Sequence, residues 1–180
     1  MNHRLQGINI YLIGMMGTGK TTVGRILARK LGYRFFDTDT LIEQVTGQSI
    51  SEIFAREGEE SFREIETKVL AELAAYTRSV IATGGGIVLR PKNWSYLHYG
   101  LIVWLDAPLD VLVTRLADDR TRPLKSRLTE LIEQRRPLYA QADLPIPIEA
   151  SQTPEQIASQ ILNKIPSVLK PKPQSPSSSP

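Results

Sequence analysis

Apolar residues in this chain fall into short runs separated by helix-spaced stripes. Ile8 to Ile13 is a compact apolar run closing on Gly14, which predicts a buried strand. Between Thr21 and Leu31, Val23, Ile26, Leu27 and Leu31 recur at helical spacing, with Gly32 as the stop. Arg34 to Phe36 predicts a second strand, ending at Asp37. Helices are expected over Leu41 to Val45, Ser51 to Arg56 and Glu59 to Tyr76. A third strand, Ser79 to Ala82, runs into Gly84, Gly85 and Gly86, and a fourth covers Leu101 to Leu105. Pro108 suits the first turn of a helix reaching about Ala117. Another helix, Ser126 to Ala142, is interrupted near Pro137. Ile146 to Ile148 is a weak last strand, and Thr153, Pro154 and Gln156 open a final helix to Lys164.

Strand–helix alternation of this kind predicts an α/β fold: a five-stranded parallel sheet between two helical layers. Ligands of such sheets bind at the carboxyl ends of the strands. Three of the strands end directly in Gly14, Asp37 and the triple glycine, so those groups should gather along one edge. The chain carries no internal repeat. It divides into one domain, residues 1–165, and a Pro/Ser-rich tail, residues 166–180, which holds too little apolar surface to offset the entropy of ordering it.

Composition narrows the picture. With 180 residues, 41% hydrophobic and 23% charged, the chain has the make-up of one ordinary domain. It contains no cysteine, which excludes disulfides, thiolate metal sites and cysteine nucleophiles. The net charge is +3, and the basic residues are scattered rather than clustered, so a small anionic ligand is favoured over nucleic acid. No apolar run is long enough to span a bilayer. A signal peptide is not expected, because a phosphate loop follows the first apolar run. The expected setting is cytoplasmic, with no membrane partner.

The segment from Gly14 to Thr21 reads GMMGTGKT and matches G-x-x-x-x-G-K-[ST]. Glycines let the backbone curl so that successive N–H groups face phosphate oxygens, and the helix that follows adds its positive end. Lys20 would reach the β- and γ-phosphates, and the Thr21 hydroxyl would ligate Mg²⁺. Gly17 raises the local glycine content, and Gly24 fits close helix packing. This motif leaves the acceptor open: kinase, ATPase, GTPase or nucleotide sensor. The N-K-x-D guanine signature is absent.

Other groups fit an acceptor site. Asp37 and Asp39 flank Thr38, and on extended chain they point apart, one toward metal and one toward a substrate hydroxyl; a helix N-cap is the plainer reading. Gly84–Gly86 suits a close backbone approach or a loose loop. Arg63 and Glu66 share a helix face, the usual spacing of a surface ion pair. Arg122-Pro-Leu and Arg135-Arg136-Pro-Leu-Tyr139 place further arginines near loops or helix ends.

Taken together and in this order, these motifs resemble the shikimate kinases over about Ile8 to Ile165. Gluconate kinases and nucleoside monophosphate kinases share the phosphate loop but not the set of D-T-D, F-R-x-x-E and G-G-G. The resemblance implies transfer of phosphate from ATP, with Mg²⁺, to the 3-hydroxyl of shikimate, on the route to aromatic amino acids, by a monomer with a short mobile lid. It implies that Asp39 binds ring hydroxyls and serves as base, with Lys20 and Arg122 as the other catalytic groups. Arg63 and Arg135 would hold the substrate carboxylate, with Arg136 the alternative to Arg135. Gly85 would offer its N–H, Glu66 would orient Arg63, and Phe54 and Phe62 would wall the pocket. Nucleotide contacts are implied at Gly17, Thr18, Gly19, Lys20, Thr21, Thr22, Arg115, Arg122 and Gln152, and the metal at Thr21 and Asp37. The lid departs from the family in reading Arg-Pro-Leu-Lys, with Lys125 last. A gluconate-kinase-type enzyme and a non-catalytic nucleotide-binding relative are the alternatives.

Overall fold

The computed structural model describes Leu5, residues 7–116 and residues 123–169. Arg122, Ala117 and residues 170–180 lie outside the described residues. Five strands form one sheet: β1 (Ile10–Ile13), β2 (Arg34–Asp37), β3 (Ser79–Ala82), β4 (Leu101–Asp106) and β5 (Leu144–Pro147). Their order is β2-β3-β1-β4-β5 and every pairing is parallel. All four residues of β1 are fully buried, inward and outward alike. That is the signature of a sheet covered on both faces.

Among the described residues these α-helices supply the cover: α1 (Lys20–Leu31), α2 (Thr38–Thr46), α3 (Ile50–Ala74), α4 (Pro91–Leu97), α5 (Leu109–Arg115), α6 (Pro123–Tyr139) and α7 (Pro154–Val168). Val23, Leu27 and Leu31 bury one stripe of α1, and Gly32 ends it in the left-handed conformation, φ 66°. Ser49 and Glu52 form a capping box for α3, and Thr153 and Gln156 form one for α7. The two helices expected on either side of residues 57 and 58 are both present and meet within α3 at Gly58, whose φ 83° and ψ 173° are not helical.

Four features differ from the sequence expectation. Pro137, expected to interrupt a helix, lies inside α6. A 3₁₀ turn (Ile87–Leu89) and α4 fill the stretch after the triple glycine, where no element was expected. The strand expected at Ile146 to Ile148 is β5, which starts at Leu144 and carries Pro145 and Pro147 on exposed positions. The last helix runs to Val168, so Pro166, Ser167 and Val168, the first residues assigned to the tail, are helical.

Gly24 is required by packing. A Cβ there would lie 2.6 Å from Cε2 of Phe35 and 3.2 Å from Cδ1 of Leu12. Alanine ordinarily gains about 1 kcal/mol over glycine in a helix interior. Overpacking against a ring and a fully buried leucine costs about 1–3 kcal/mol and should win. Gly24→Ala is therefore expected to lower the urea unfolding midpoint; a raised midpoint would show that Phe35 yields freely.

Candidate active site

β1, β2 and β3 deliver Gly14, Asp37 and the triple glycine to one edge of the sheet. The phosphate loop, Asp37, Asp39 and Gly84–Gly85 line a cleft of about 320 Å³ there. Gly14, Gly17 and Gly19 have φ of 144°, 79° and 92°, values that only glycine adopts freely. At Gly14 there is also no room, since a Cβ would lie 2.6 Å from the Leu105 carbonyl. Thr18 is buried, and its hydroxyl donates to the Met15 carbonyl at 2.9 Å, closing the loop from within. Lys20 is buried, with Nζ donating to the carbonyls of Gly14 (2.7 Å) and Met15 (2.8 Å). Burial pulls its ammonium down to about 8, against the opposing pull of Asp39 and Asp37. An arriving polyphosphate would restore the full cation.

Thr21 Oγ1 donates to Asp37 Oδ2 at 2.6 Å, while Asp37 Oδ1 accepts from the backbone N–H groups of Asp39 (3.0 Å) and Thr40 (3.2 Å). Asp37 is thus both the cap of α2 and the partner of the phosphate-loop hydroxyl. This donor set fits Mg²⁺, to which Thr21 and Asp37 would offer two hard oxygens. Arg115 lies over the loop, donating to the Gly17 and Thr18 carbonyls at 3.2 Å each. Thr22 is exposed on the first turn of α1. Gln152 follows β5; its amide donates to Gln160 (3.2 Å) and its oxygen accepts from the Glu149 N–H (2.9 Å).

The other half of the site is built around Gly84–Gly86. A Cβ on Gly84 would lie 2.8 Å from Glu66 Oε1 and 2.9 Å from Asp39 Oδ1. One on Gly86 would overlap the Arg63 guanidinium, and one on Gly85 would sit 3.4 Å from Arg135 Nη1. The triple glycine is a close-approach turn, not a loose loop. Arg63 is buried, not a surface pair: it bonds Glu66 at 3.3 Å and Glu59 at 3.1 Å and lies 5.1 Å from the centroid of Phe62. Phe62 is buried and Phe54 partly exposed, with ring centroids 4.7 Å apart. Arg135 is the buried arginine at the turn, whereas Arg136 is held by Asp106 (3.0 and 3.3 Å) and stacks on Trp104.

Burial raises the Asp39 carboxyl, with Asp37 adding to the effect. Burial also pushes Glu66 up to about 7, against the pull of Arg63. Three buried polar atoms here have no protein partner: Asp39 Oδ1, Glu66 Oε1 and Arg63 Nε. They are polar groups prepared for something the protein does not supply.

Several supports were missed by sequence reasoning. The Thr38 hydroxyl accepts from the Gly84 N–H at 3.0 Å, and the Tyr139 hydroxyl donates to the Gly85 carbonyl at 2.6 Å. Asn93 donates to the Ile87 carbonyl (2.8 Å) and accepts from Thr67 (2.8 Å), pinning the 3₁₀ turn to α3. Thr38 and Tyr139 stand inside the motifs already quoted, but nothing local tells which way a hydroxyl turns. Asn93 had no signal at all.

A phosphate cradle facing a carboxylate- and guanidinium-lined half-site, across one edge of a parallel sheet, defines a P-loop small-molecule kinase. Within that class the chain belongs to the shikimate kinase family, whose profile matches residues 16–166. It is 63% identical over 174 residues to the shikimate kinase of Rippkaea orientalis, covering 93% of each chain. It is 60% identical over 176 residues to that of a Nostoc species, covering 94% of this chain and 97% of the relative. Among solved structures, the shikimate kinase of Acinetobacter baumannii in complex with shikimate superposes with a TM-score of 0.83 at 41% identity, over 92% of this chain and 96% of that one. A gluconokinase from Sinorhizobium meliloti, 19% identical with a TM-score of 0.63, shares the fold alone.

Glu66 generates a pH prediction. The folded chain keeps the Glu66 proton up to about pH 7, whereas the ordinary carboxyl value is 4.5. The folded state therefore binds more protons in that window, and its stability falls as pH rises through it. Glu66→Gln never ionises and should lack this slope. Urea midpoints of parent and E66Q are expected to diverge, in favour of E66Q, between pH 4.5 and 7. Parallel midpoints would mean that Arg63 fully compensates the buried charge.

Proposed function

We propose that this chain transfers the γ-phosphoryl group of ATP to the 3-hydroxyl of shikimate, giving shikimate 3-phosphate and ADP. The observation that carries this reading is that the phosphate loop, Asp39 and Gly84–Gly85 line one cleft, with Arg63, Glu66 and Arg135 set against the same glycine turn. High identity to curated shikimate kinases supports the choice of acceptor.

The geometry of the described residues supports these roles, and that of Arg122 rests on the resemblance of its motif. The phosphate-loop amides and Lys20 hold the β- and γ-phosphates, with Lys20 exchanging the Gly14 and Met15 carbonyls for phosphate oxygens. Thr21 and Asp37 would hold Mg²⁺, which when bound neutralises charge on those phosphates. Arg63 and Arg135 take the carboxylate of the acid, a task for planar forks. Phe54 and Phe62 supply an apolar wall, and Gly85 offers its N–H. Asp39 orients the 3-hydroxyl and accepts its proton as the new O–P bond forms and the bond to the ADP oxygen breaks. Arg122 stabilises charge on the group in transit, and Arg115 and Gln152 belong to the nucleotide side. The family resemblance implies a monomer, and the cysteine-free composition suits the reducing cytoplasm.

Phosphoryl transfer needs alignment and charge stabilisation more than covalent chemistry, so the arginines should divide cleanly. In an ADP-release assay, shikimate is expected to support turnover and gluconate is not; the reverse would favour the gluconate-kinase reading, and turnover with neither the non-catalytic one. Chelation with EDTA should abolish turnover and added Mg²⁺ restore it. Arg63→Ala should raise the shikimate KM by about 10- to 100-fold, the value of a charged hydrogen bond. Arg122→Ala should lower kcat by about 100-fold with shikimate KM little changed. An unaltered shikimate KM in R63A would remove Arg63 from the site.

A further inference from the structure

A run of three glycines offers no side chain for packing to hold. Its conformation is therefore set by its hydrogen bonds. In Gly84–Gly86 nearly all of these are made inward. The Gly84 carbonyl accepts from the Ile87 N–H and the Gly86 carbonyl from the Leu89 N–H, at 3.1 Å each. The two remaining bonds come from side chains on different helices. Thr38, fully buried at the start of α2, takes the Gly84 N–H at 3.0 Å. Tyr139, buried at the end of α6, donates to the Gly85 carbonyl at 2.6 Å. Among the described residues, the Gly85 and Gly86 N–H groups have no backbone partner. Every carbonyl of the run is thus engaged, and among the described residues no hydrogen bond is made by the Gly85 and Gly86 N–H groups.

The two hydroxyls also connect the halves of the site. Thr38 lies between Asp37 and Asp39. Tyr139 is one helical turn from Arg135, and its hydroxyl lies 3.6 Å from Met15 Sδ in the phosphate loop. Its ring stacks on Trp104, with centroids 6.0 Å apart, so the ring can stay in place without the hydroxyl.

We propose that the Thr38 and Tyr139 hydroxyls are positioning groups for the acceptor. They hold the glycine turn so that the Gly85 and Gly86 N–H groups, with Arg63 and Arg135, meet the shikimate carboxylate and hydroxyls. This rests on the acceptor site argued above. Neither hydroxyl is assigned a contact with the substrate: Thr38 acts through the turn, and Tyr139 through the turn and through Arg135 beside it.

The test is steady-state kinetics on Tyr139→Phe, Thr38→Val and Thr38→Ser. One lost neutral hydrogen bond is worth about a tenfold change in affinity. Y139F and T38V should each raise the shikimate KM by about tenfold while ATP KM and kcat stay within about threefold, and T38S, which keeps the hydroxyl, should restore the shikimate KM to within about threefold of the parent. Should Y139F fail to fold, the T38V and T38S pair decides alone. Shikimate and ATP KM rising together in the folded variants, or an unchanged shikimate KM, would overturn the clamp. R63A separates the two layers: if R63A loses shikimate affinity and these variants do not, the clamp fails and the site stands. If R63A is unaffected, the site itself has been misplaced.

Discussion

Four charged side chains and a length of backbone share the small volume beside Gly84–Gly86. Asp39 and Glu66 at Gly84, and Arg63 at Gly86, lie so close that a methyl group would collide with them, and Arg135 is in contact distance of Gly85. The backbone must pass there because β3 ends there, between β1 and β2. With side chains at these positions the charges would be pushed outward, toward solvent, where ion pairs are worth little. Without them the charges stay in a poorly solvated pocket, where each contact is stronger and each unpaired atom is costly. The absence of three Cβ atoms is what permits the electrostatics.

Those electrostatics are unbalanced in the protein alone. Lys20 is held below its ordinary pKa and Glu66 above its own, both because burial penalises charge. Asp39 Oδ1, Glu66 Oε1 and Arg63 Nε have no protein partner. A polyphosphate on one side and a hydroxylated acid on the other would supply the missing partners. Under this reading the substrates complete a network that the fold leaves open, and binding energy is directed to the groups that later stabilise the reaction.

Much of this was legible in the chain. The phosphate loop, the strand ends and the D-T-D triplet are local signals, because their chemistry depends on residues adjacent in sequence. The capping box at Thr153 was read for the same reason. Asp37 caps α2 through Oδ1, the plainer of the readings offered for it, while Oδ2 accepts from the Thr21 hydroxyl. What escaped was non-local or weakly patterned. Spacing alone suggested a surface pair for Arg63 and Glu66, but burial is decided by α4 and the 3₁₀ turn, which a seven-residue helix hardly announces. Arg135 and Arg136 are indistinguishable by composition; only the register of α6 sends one to the glycine turn and the other to Asp106. The two helices expected around Gly58, by contrast, are joined there by non-helical backbone, a break that the glycine between two helical stripes announces. Arg122, the group implied for the lid, lies outside the described residues.

The outer margin of the sheet carries its own safeguard. In β5, Leu144 and Ile146 face inward, while Pro145 and Pro147 occupy the alternate positions. Proline has no N–H, so the solvent side of this strand has no backbone donors at either of those positions. A stray extended chain would find no ladder to join, and the prolines that make β5 hard to recognise also protect the protein from edge-to-edge aggregation.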